Sequence, residues 1–232
     1  MHDDRTAVDT AIVCDAVGVE VDGAVLLQDV DLRLSAARTA VIGANGSGKS
    51  TFVRLLNGLR SSTSGTVRVQ GLDPKRDAAR LRRRVGFVFT NPEAQILMPT
   101  PAEDVALSLR ELPAAQRSAR VAEILERYGL ADRAEVPASA LSGGQRQLLA
   151  IASVLATEPQ LVVADEPTTL LDLRNARLIG ELLLGLDVPV VLVTHDLDLA
   201  ARCDEAVLFE DGRVRAVGAP DDVIAEYRRS CA

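Results

Sequence analysis

Residues 43–50 read Gly43-Ala44-Asn45-Gly46-Ser47-Gly48-Lys49-Ser50, which fits the pattern G-x-x-x-x-G-K-[ST]. The short apolar run Thr39–Ile42 leads into this loop, and Ser50–Leu59 follows it with helical spacing. Glycines let backbone N–H groups converge on a phosphate, and the helix dipole adds to the attraction. We therefore predict a loop that binds nucleotide phosphates, with Lys49 on the β- and γ-phosphates and the Ser50 hydroxyl on Mg²⁺. Thr51 completes this predicted cofactor site.

A second apolar run, Leu161–Ala164, ends in two adjacent carboxylates, Asp165 and Glu166. Two acids at the end of a buried strand repel each other and lose hydration, so a structural role does not explain them well. We predict that Asp165 holds Mg²⁺ through water. Glu166 would polarise the attacking water as a general base.

A histidine follows a third apolar run, Val190–Thr194. By itself, His195 would more often be a structural histidine. It lies at the end of a predicted neighbouring strand, however, thirty positions after Asp165. This placement predicts that His195 senses the γ-phosphate during catalysis.

A second candidate anion site lies in the segment Leu141–Gln145. Ser142 can cap the following helix, and a cap alone would account for it. Two glycines beneath a helix N-terminus, however, also favour anion binding. One chain does not need two γ-phosphate cradles that face different ways, so this segment indicates a second nucleotide. The predicted binding residues are Ser142, Gly143, Gly144 and Gln145.

The pattern of the chain predicts an α/β class with one domain over residues 1–232. Antiparallel strands are expected at Ala11–Val17 and Val25–Leu34, and further strands at Gly65–Gly71 and Arg84–Phe89. From about residue 92 to 156 the pattern becomes helical, and buried strands then return. The helices predicted after the first one are Ala102–Leu112, Ala114–Tyr128, Gln145–Leu155, Leu173–Leu186 and Pro220–Arg228. A terminal hairpin is expected from Ala206–Glu210 and Arg213–Ala216 around Asp211-Gly212.

Composition narrows the classes of function. The longest apolar stretch, near Leu148–Ala156, is shorter than the ~20 residues that a membrane helix needs. The start, Met1–Arg5, lacks the features of a leader peptide, so we expect the chain to stay in the cytosol. Its formal net charge of −7 argues against a nucleic-acid partner. We interpret the basic cluster in residues 75–84 as a solvated helix face, and we expect Cys14, Cys203 and Cys231 to be thiols.

The phosphate loop, Leu141–Gln145, Asp165–Thr168, Asp172 and His195 occur in the order found in ATP-binding-cassette (ABC) ATPases, which the chain resembles over nearly its whole length. The resemblance implies a P-loop NTPase core with an N-terminal antiparallel β lobe, an inserted helical lobe, and ATP and Mg²⁺ as cofactors. It also implies a head-to-tail pair in which Ser142–Gln145 of one subunit closes on the ATP held by the other. Asp172 would lie in the loop that crosses between the two sites. The small size favours two identical subunits over a heterodimer.

Two positions depart from the family pattern. Residues 1–51 contain no aromatic side chain, and Val21 occupies the position at which the family usually stacks a ring on adenine. Base stacking is worth about 1–3 kcal/mol, so we expect weaker ATP affinity or base selectivity. Thr90 stands where the family usually has a glutamine that touches Mg²⁺ and the transmembrane partner, and its short reach argues against metal contact. Gln95 resembles that loop's partner-facing glutamine instead.

The loops Asn91–Ile96 and Pro101–Ala106 resemble those of energy-coupling-factor importers of vitamins and transition-metal ions. Residues 90–92, 98–100 and 167–173 are most similar to actinobacterial biotin-uptake ATPases, with a cobalt or nickel importer as an equal alternative. The resemblance implies ATP hydrolysis that powers uptake, at the cytoplasmic face of the membrane. The implied partners are a transmembrane coupling subunit and a membrane substrate-binding subunit.

The apolar residues Ile96–Met98 are candidates for the groove that moves the coupling subunit, although core packing explains them equally well. Two alternatives need no membrane partner. One is a cytosolic ABC protein that acts on nucleic acid, and the Arg80–Arg84 cluster is its best support. The other is an ABC scaffold for cofactor assembly.

Overall fold

A computed structural model describes residues 11–231 of the chain. The N-terminal residues on which the expectation about a leader peptide depends lie outside this range. Within residues 11–231, no helix has both the length and the apolar character that crossing a membrane requires.

The described residues form two sheets from nine strands, with the orders β2-β1-β4 and β5-β6-β7-β3-β8-β9. In chain order the strands are β1 (Ile12–Val21), β2 (Ala24–Leu34), β3 (Arg38–Ile42), β4 (Ser64–Val69), β5 (Val85–Val88), β6 (Leu161–Asp165), β7 (Val190–Val193), β8 (Glu205–Glu210) and β9 (Arg213–Gly218).

The smaller sheet is antiparallel, as the alternating N-terminal pattern predicts. Its first hairpin turns at Asp22 and Gly23, whose φ angles are 50° and 79°. Two successive residues with positive φ are typical of a type I′ turn, which matches the twist of the paired strands. The register of β1 shifts between Asp15 and Gly18, where a bulge bends the strand.

The larger sheet has a parallel centre in which β5, β6, β7, β3 and β8 run the same way. Every residue of β5, β6 and β7 is buried. For β6 and β7 this agrees with the prediction that these apolar runs are covered on both faces. Only β9 runs antiparallel, and it pairs with β8 around the Asp211-Gly212 turn. All five parallel strands therefore end at the same edge of the sheet.

Eight α-helices connect and cover these strands within the described residues. They are α1 (Lys49–Leu55), α2 (Ala78–Arg84), α3 (Pro101–Ser108), α4 (Ala114–Arg127), α5 (Gly143–Leu155), α6 (Leu173–Leu184), α7 (Leu197–Ala200) and α8 (Pro220–Ser230).

Two helices end four residues earlier than the sequence predicts, whereas α4 and α6 end one and two residues early. Helix α1 stops at Leu55 rather than Leu59, because Gly58 adopts a φ of 71° and the Asn57 side chain accepts the N–H of Leu59. Helix α3 stops at Ser108 rather than Leu112. The residues between Ser108 and Pro113 form turns instead, in which N–H groups bond to carbonyl oxygens three residues earlier. The short helix α7 was not predicted.

Helices α3, α4 and α5 share a hydrophobic cluster that includes Val105, Leu125 and Leu149. The segment around them also contains three single 3₁₀ turns, Pro92–Ala94, Ala131–Arg133 and Ala138–Ala140. A separate cluster joins the antiparallel sheet to one face of the parallel sheet. The helical segment thus has an apolar core of its own.

The basic cluster begins in the turn before α2 and continues along the helix, where Leu81 is buried and Arg82 and Arg83 are exposed. This confirms the interpretation of the cluster as a solvated helix face. Cys14 and Cys203 are both buried thiols. Burial raises the pKa of Cys14 to about 12 and that of Cys203 to about 11, so both pack as neutral apolar groups.

The contact between Gly65 and the β1 bulge gives a test of the fold. Gly65→Ala should lower the free energy of unfolding by about 2 kcal/mol or more, because a left-handed backbone already costs a Cβ about 1–2 kcal/mol. The added Cβ would also lie 2.2 Å from the carbonyl oxygen of Ala16. Urea unfolding followed by circular dichroism measures this loss.

Gly23→Ala is the matched control. Gly23 also has a positive φ, 79°, but nothing lies within 4 Å of an added Cβ. It should lose only about 1 kcal/mol. An equal loss in the two variants would show that the packing of β4 on the bulge adds nothing.

Candidate nucleotide and magnesium site

The predicted phosphate loop connects the end of β3 to the start of α1. Gly43 and Gly48 have φ angles of 141° and 104°. A Cβ at Gly43 would lie 2.2 Å from the carbonyl oxygen of Phe209, and one at Gly48 would lie 2.7 Å from Leu27 Cδ2. Strands β2 and β8 therefore press directly on the loop backbone, and these positions require glycine.

The Lys49 ammonium is held against the loop. Its Nζ donates to the carbonyl oxygens of Gly43 at 2.9 Å and Ala44 at 2.8 Å. Burial lowers the pKa of Lys49, whereas the charges of Glu166 and Asp165 raise it. The Lys49 ammonium thus contacts the loop and is close enough to Asp165 and Glu166 to interact with their charges.

A cavity of about 230 Å³ lies beside the loop. Its lining combines loop and α1 residues with one carboxylate and one apolar side chain, and it consists of Leu26, Asn45, Gly46, Gly48, Lys49, Ser50, Thr51 and Glu166. The sequence did not single out Leu26, because a half-buried leucine in a strand gives no functional signal. The buried Ser47 hydroxyl has no hydrogen-bond partner within the described part of the chain.

Asp165 at the end of β6 meets Ser50 on α1. Ser50 Oγ donates to Asp165 Oδ1 at 2.9 Å, and Arg54 Nη2 lies 3.5 Å from Asp165 Oδ2. Burial raises the pKa of the Asp165 carboxyl, although the Ser50 hydrogen bond and the Arg54 charge lower it. The sequence did not predict the role of Arg54.

These oxygens fit a magnesium ion. Mg²⁺ prefers hard oxygen ligands and is usually bound by one or two protein groups together with substrate phosphates and water. Ser50 and Asp165 supply such a pair, and a cation there would offset the buried carboxylate charge. No group of three or more His, Cys, Asp or Glu residues suited to a metal occurs among residues 11–231.

Glu166 and His195 lie side by side, as the strand order predicts. His195 Nε2 lies 2.9 Å from Glu166 Oε1. A histidine nitrogen donates to a carboxylate only in the tautomer that carries its hydrogen, so this contact selects a hydrogen on Nε2 when the carboxylate accepts. Thr169 Oγ1 donates to the other carboxylate oxygen, Oε2, at 3.2 Å. The contact from Thr169 was not predicted.

The segment 142–145 begins α5. Ser142 Oγ accepts the N–H of Gln145 at 3.3 Å, and Gln145 Oε1 accepts the N–H of Ser142 at 2.9 Å. This reciprocal capping box fixes the helix start. A Cβ at Gly144 would lie 2.4 Å from the side chain of Asn175 on α6, so this glycine permits close packing.

Asp172 caps α6 within its own chain. Its Oδ1 accepts the backbone N–H of Asn175 at 2.9 Å, and its Oδ2 accepts the Asn175 side-chain amide at 2.7 Å. The pKa of Asp172 is lowered by these two hydrogen bonds. Asp172 therefore holds Asn175 in place against Gly144, which the sequence did not reveal.

Thr90 and Gln95 both make hydrogen bonds within the chain. Thr90 Oγ1 donates to the backbone oxygen of Asp165 at 2.7 Å, so it supports the strand end rather than reaching into the cavity. The Gln95 amide bonds within the chain at both ends, since Oε1 accepts the N–H of Phe89 and Nε2 donates to Ala150 O. Gln95 is half-buried and also lines a cavity with Phe87 and Leu97, so its contact with a partner stays a prediction.

Val21 ends β1 and is 39% exposed. Two residues before it, Val19 pairs with Leu27, which packs on Gly48. Val21 thus lies on the hairpin whose strand β2 flanks the phosphate loop. Its effect on ATP affinity stays a prediction.

The structure brings most of the predicted site residues to one edge of the parallel sheet. The loop, Lys49, Ser50, Asp165, Glu166 and His195 form one contiguous group. The segment Ser142–Gln145 contributes nothing to the lining of the loop cavity within the described residues. It lies instead with Asp172 at the junction of α5 and α6.

Comparisons with known proteins show which family the chain resembles. The family model for ABC transporters matches residues 27–169. The biotin transport ATP-binding protein BioM of Rhizobium etli is 40% identical over 220 residues, which cover 94% of this chain and 98% of that protein.

Two solved structures have the same fold. The structure of cbiO1 from Clostridium perfringens, part of the ABC transporter complex cbiONQ, has a TM-score of 0.82 at 31% identity and covers 93% of this chain and 90% of that one. A dimeric ATP-binding cassette in a post-hydrolysis state, with bound ADP and phosphate, has a TM-score of 0.80 at 28% identity. That match covers 90% of this chain and 98% of the cassette.

The buried carboxylate predicts a conflict between stability and function. Because burial raises the pKa of Asp165, the folded chain binds the carboxyl proton more tightly than the unfolded chain does. The free energy of unfolding therefore falls as the pH rises through the pKa of the folded state. Without magnesium, Asp165→Asn should therefore increase the free energy of unfolding at pH 7.5. The gain should shrink as the pH falls toward about 4, the ordinary range of an aspartate. Urea unfolding at both pH values measures it.

Asp172→Asn provides a control of opposite sign. Hydrogen bonds lower the pKa of Asp172, so its ionised form favours the folded state. Asparagine also caps helices well, which limits other effects. This variant should lose stability at pH 7.5. A loss of stability in Asp165→Asn as well would contradict the argument from burial.

Proposed function

This chain belongs to the ABC transporter family as an ATP-hydrolysing subunit of a transporter, and we propose that the transporter is an importer of the energy-coupling-factor type. The family and the mixed α/β ABC ATPase fold expected from the sequence are confirmed. Similarity to a biotin transport ATP-binding protein and to a subunit of the cbiONQ complex supports the narrower proposal. The cavity lined by the loop, Ser50 and Glu166 carries the assignment of the ATP site, with Asp165 hydrogen-bonded to Ser50 and His195 to Glu166.

In this proposal the chain's own residues bind the triphosphate. Backbone N–H groups of the loop and the start of α1 surround the phosphates, and Lys49 moves its ammonium from the loop carbonyls to phosphate oxygens. Ser50 and Asp165 would hold the magnesium ion. When bound, magnesium neutralises charge on the phosphate oxygens.

Glu166 acts as the general base toward the attacking water in this proposal. Its carboxylate lines the cavity and lies 2.9 Å from His195 Nε2. A base must lie within hydrogen-bond reach of the proton that it removes. His195 orients this carboxylate from one side through Nε2. To contact the γ-phosphate, as we propose, Nε2 would have to leave Glu166 Oε1.

A second ATPase subunit completes each site. The capped glycine segment Ser142–Gln145 and the Asp172 loop lie together but outside the loop cavity. In a head-to-tail dimer, this face of one copy would cover the nucleotide of the other. The post-hydrolysis cassette with a similar fold is itself a dimer, which supports identical subunits.

We place the transmembrane coupling subunit in the groove between the parallel sheet and the helical subdomain, residues 92–156. This groove has a cavity of about 270 Å³, lined by Phe87 of β5 on one side and Leu107 of α3 on the other. Leu97 also lines it and is 72% exposed. The buried Asp104 carboxylate holds the backbone at this side of the groove, because it accepts hydrogen bonds from the N–H groups of Leu97 and Met98. The chain would thus associate peripherally with the cytoplasmic face of the membrane.

The cargo follows from similarity alone. A biotin transport ATP-binding protein covers nearly the whole chain at 40% identity. The solved structure of cbiO1, a part of the cbiONQ complex, matches 93% of this chain with a TM-score of 0.82. We propose a vitamin such as biotin, or a transition-metal ion, as the transported substrate.

Glu166→Gln tests the assigned base. The amide keeps the shape of the side chain but does not accept a proton from water. We expect ATP turnover to fall at least about 100-fold, the usual contribution of such catalysis. Binding of ATP should persist and favour an ATP-held dimer. Phosphate release and size-exclusion chromatography with magnesium–ATP measure both effects.

Glu135→Gln is the control, because Glu135 is an exposed glutamate outside the site. Its turnover should equal that of the wild type. Near-normal hydrolysis in Glu166→Gln would refute the assignment of the base.

The importer proposal is tested by recovery of the tagged chain from native membranes in mild detergent. We expect it to copurify with a transmembrane subunit and a substrate-binding membrane protein. Leu97→Asp should abolish this recovery, because a charge would be buried at the groove. Leu178→Asp should not, since Leu178 is an equally apolar, 50% exposed residue on α6. Recovery with ribosomes, nucleic acid or a soluble assembly complex would reject the importer.

A further inference from the structure

The backbone of Glu166 is held in an unusual conformation. Its φ angle is 51°, a left-handed value that residues with a Cβ seldom adopt. Its N–H donates to the carbonyl oxygen of Val193 on β7 at 3.1 Å. Such conformations persist where surrounding contacts hold them in place. The position of the Glu166 side chain is therefore determined by neighbours rather than by local preference.

A tight turn returns the chain to Glu166 three residues later. The N–H of Thr169 donates to the Glu166 carbonyl oxygen at 3.4 Å. Pro167 occupies the second position of this turn, where its fixed φ is favourable. The turn places the Thr169 side chain beside the Glu166 side chain, and Thr169 Oγ1 donates to Glu166 Oε2 at 3.2 Å.

The carboxylate is thus held at both oxygens. His195 approaches Oε1 and Thr169 approaches Oε2. The terminal torsion of a glutamate is broad, so a single contact leaves the carboxylate group free to rotate. Two donors on different oxygens restrict that rotation. Each oxygen still has a further lone pair that can accept a proton.

We propose that Thr169 is a positioning residue that orients the Glu166 carboxylate toward the attacking water. This inference rests on the proposed role of Glu166 as the base. Thr169 acts through Glu166, while Lys49 and the phosphate loop account for ATP binding. Loss of the hydroxyl should therefore change the rate of the chemical step and leave the affinity for ATP intact.

Thr169→Val removes the hydroxyl with little change in size, and Thr169→Ser keeps it. We expect Thr169→Val to lower kcat about tenfold, the factor that corresponds to one hydrogen bond. The KM for ATP should stay within about twofold, because ground-state binding is not altered. The melting temperature should also be unchanged, since Thr169 is exposed. Thr169→Ser should retain the wild-type kcat. Steady-state phosphate release by the purified full chain, with Glu166→Gln measured in parallel, gives these values.

Each outcome decides a different question. A wild-type kcat in Thr169→Val, together with an inactive Glu166→Gln, would overturn the role of Thr169 alone. Equal losses in the Val and Ser variants would also overturn it, because the hydroxyl would not be the cause. A raised KM or a lowered melting temperature in Thr169→Val would indicate a binding or structural role instead. An active Glu166→Gln would refute the proposed base and this inference with it.

Discussion

Parallel pairing of β3, β7 and β6 determines where the reactive groups lie. The register pairs Val41 with Val193, and Val193 with Asp165, so three strands end at one level. The next residues along each strand are the phosphate loop, Thr194-His195 and Glu166. Side chains far apart in sequence therefore meet because their strands stop together, as is usual for ligand sites in open α/β sheets. The Ser50–Asp165 hydrogen bond then fixes α1 to that edge.

This edge concentrates charge in a buried place. Burial lowers the pKa of Lys49 and raises that of Asp165, so both groups are less easily charged than in water. Their charges, and that of Arg54, offset part of this cost. A site that holds a triphosphate and a divalent cation needs the charges in place beforehand. The free chain therefore carries an electrostatic cost that ligand binding relieves, a common feature of functional sites.

Local sequence patterns predicted the parts of the site that depend on neighbours in the chain. The phosphate loop, the two carboxylates and the capped start of α5 each occupy one short segment between clear apolar runs. Contacts that depend on tertiary packing were not predicted. Asn175 touches Gly144 across two helices, and Arg54 reaches Asp165 from α1. The two internal contacts of Gln95 were not predicted either, because its partners, Phe89 N–H and Ala150 O, are backbone groups that no side-chain pattern reveals.

The segment from Glu166 to Asp172 runs from the phosphate-loop cavity to the junction of α5 and α6, where the Ser142–Gln145 segment lies. At its start, Thr169 closes a turn on Glu166 and contacts the carboxylate. At its end, Asp172 caps α6 and holds Asn175 against Gly144. In the proposed dimer, Glu166 serves the chain's own nucleotide and the Ser142–Gln145 segment serves the partner's. Hydrogen bonds hold both ends of this short segment. A displacement of the backbone at one end would therefore shift the other end. The two ATP sites would then be coupled through the covalent chain as well as through the dimer interface.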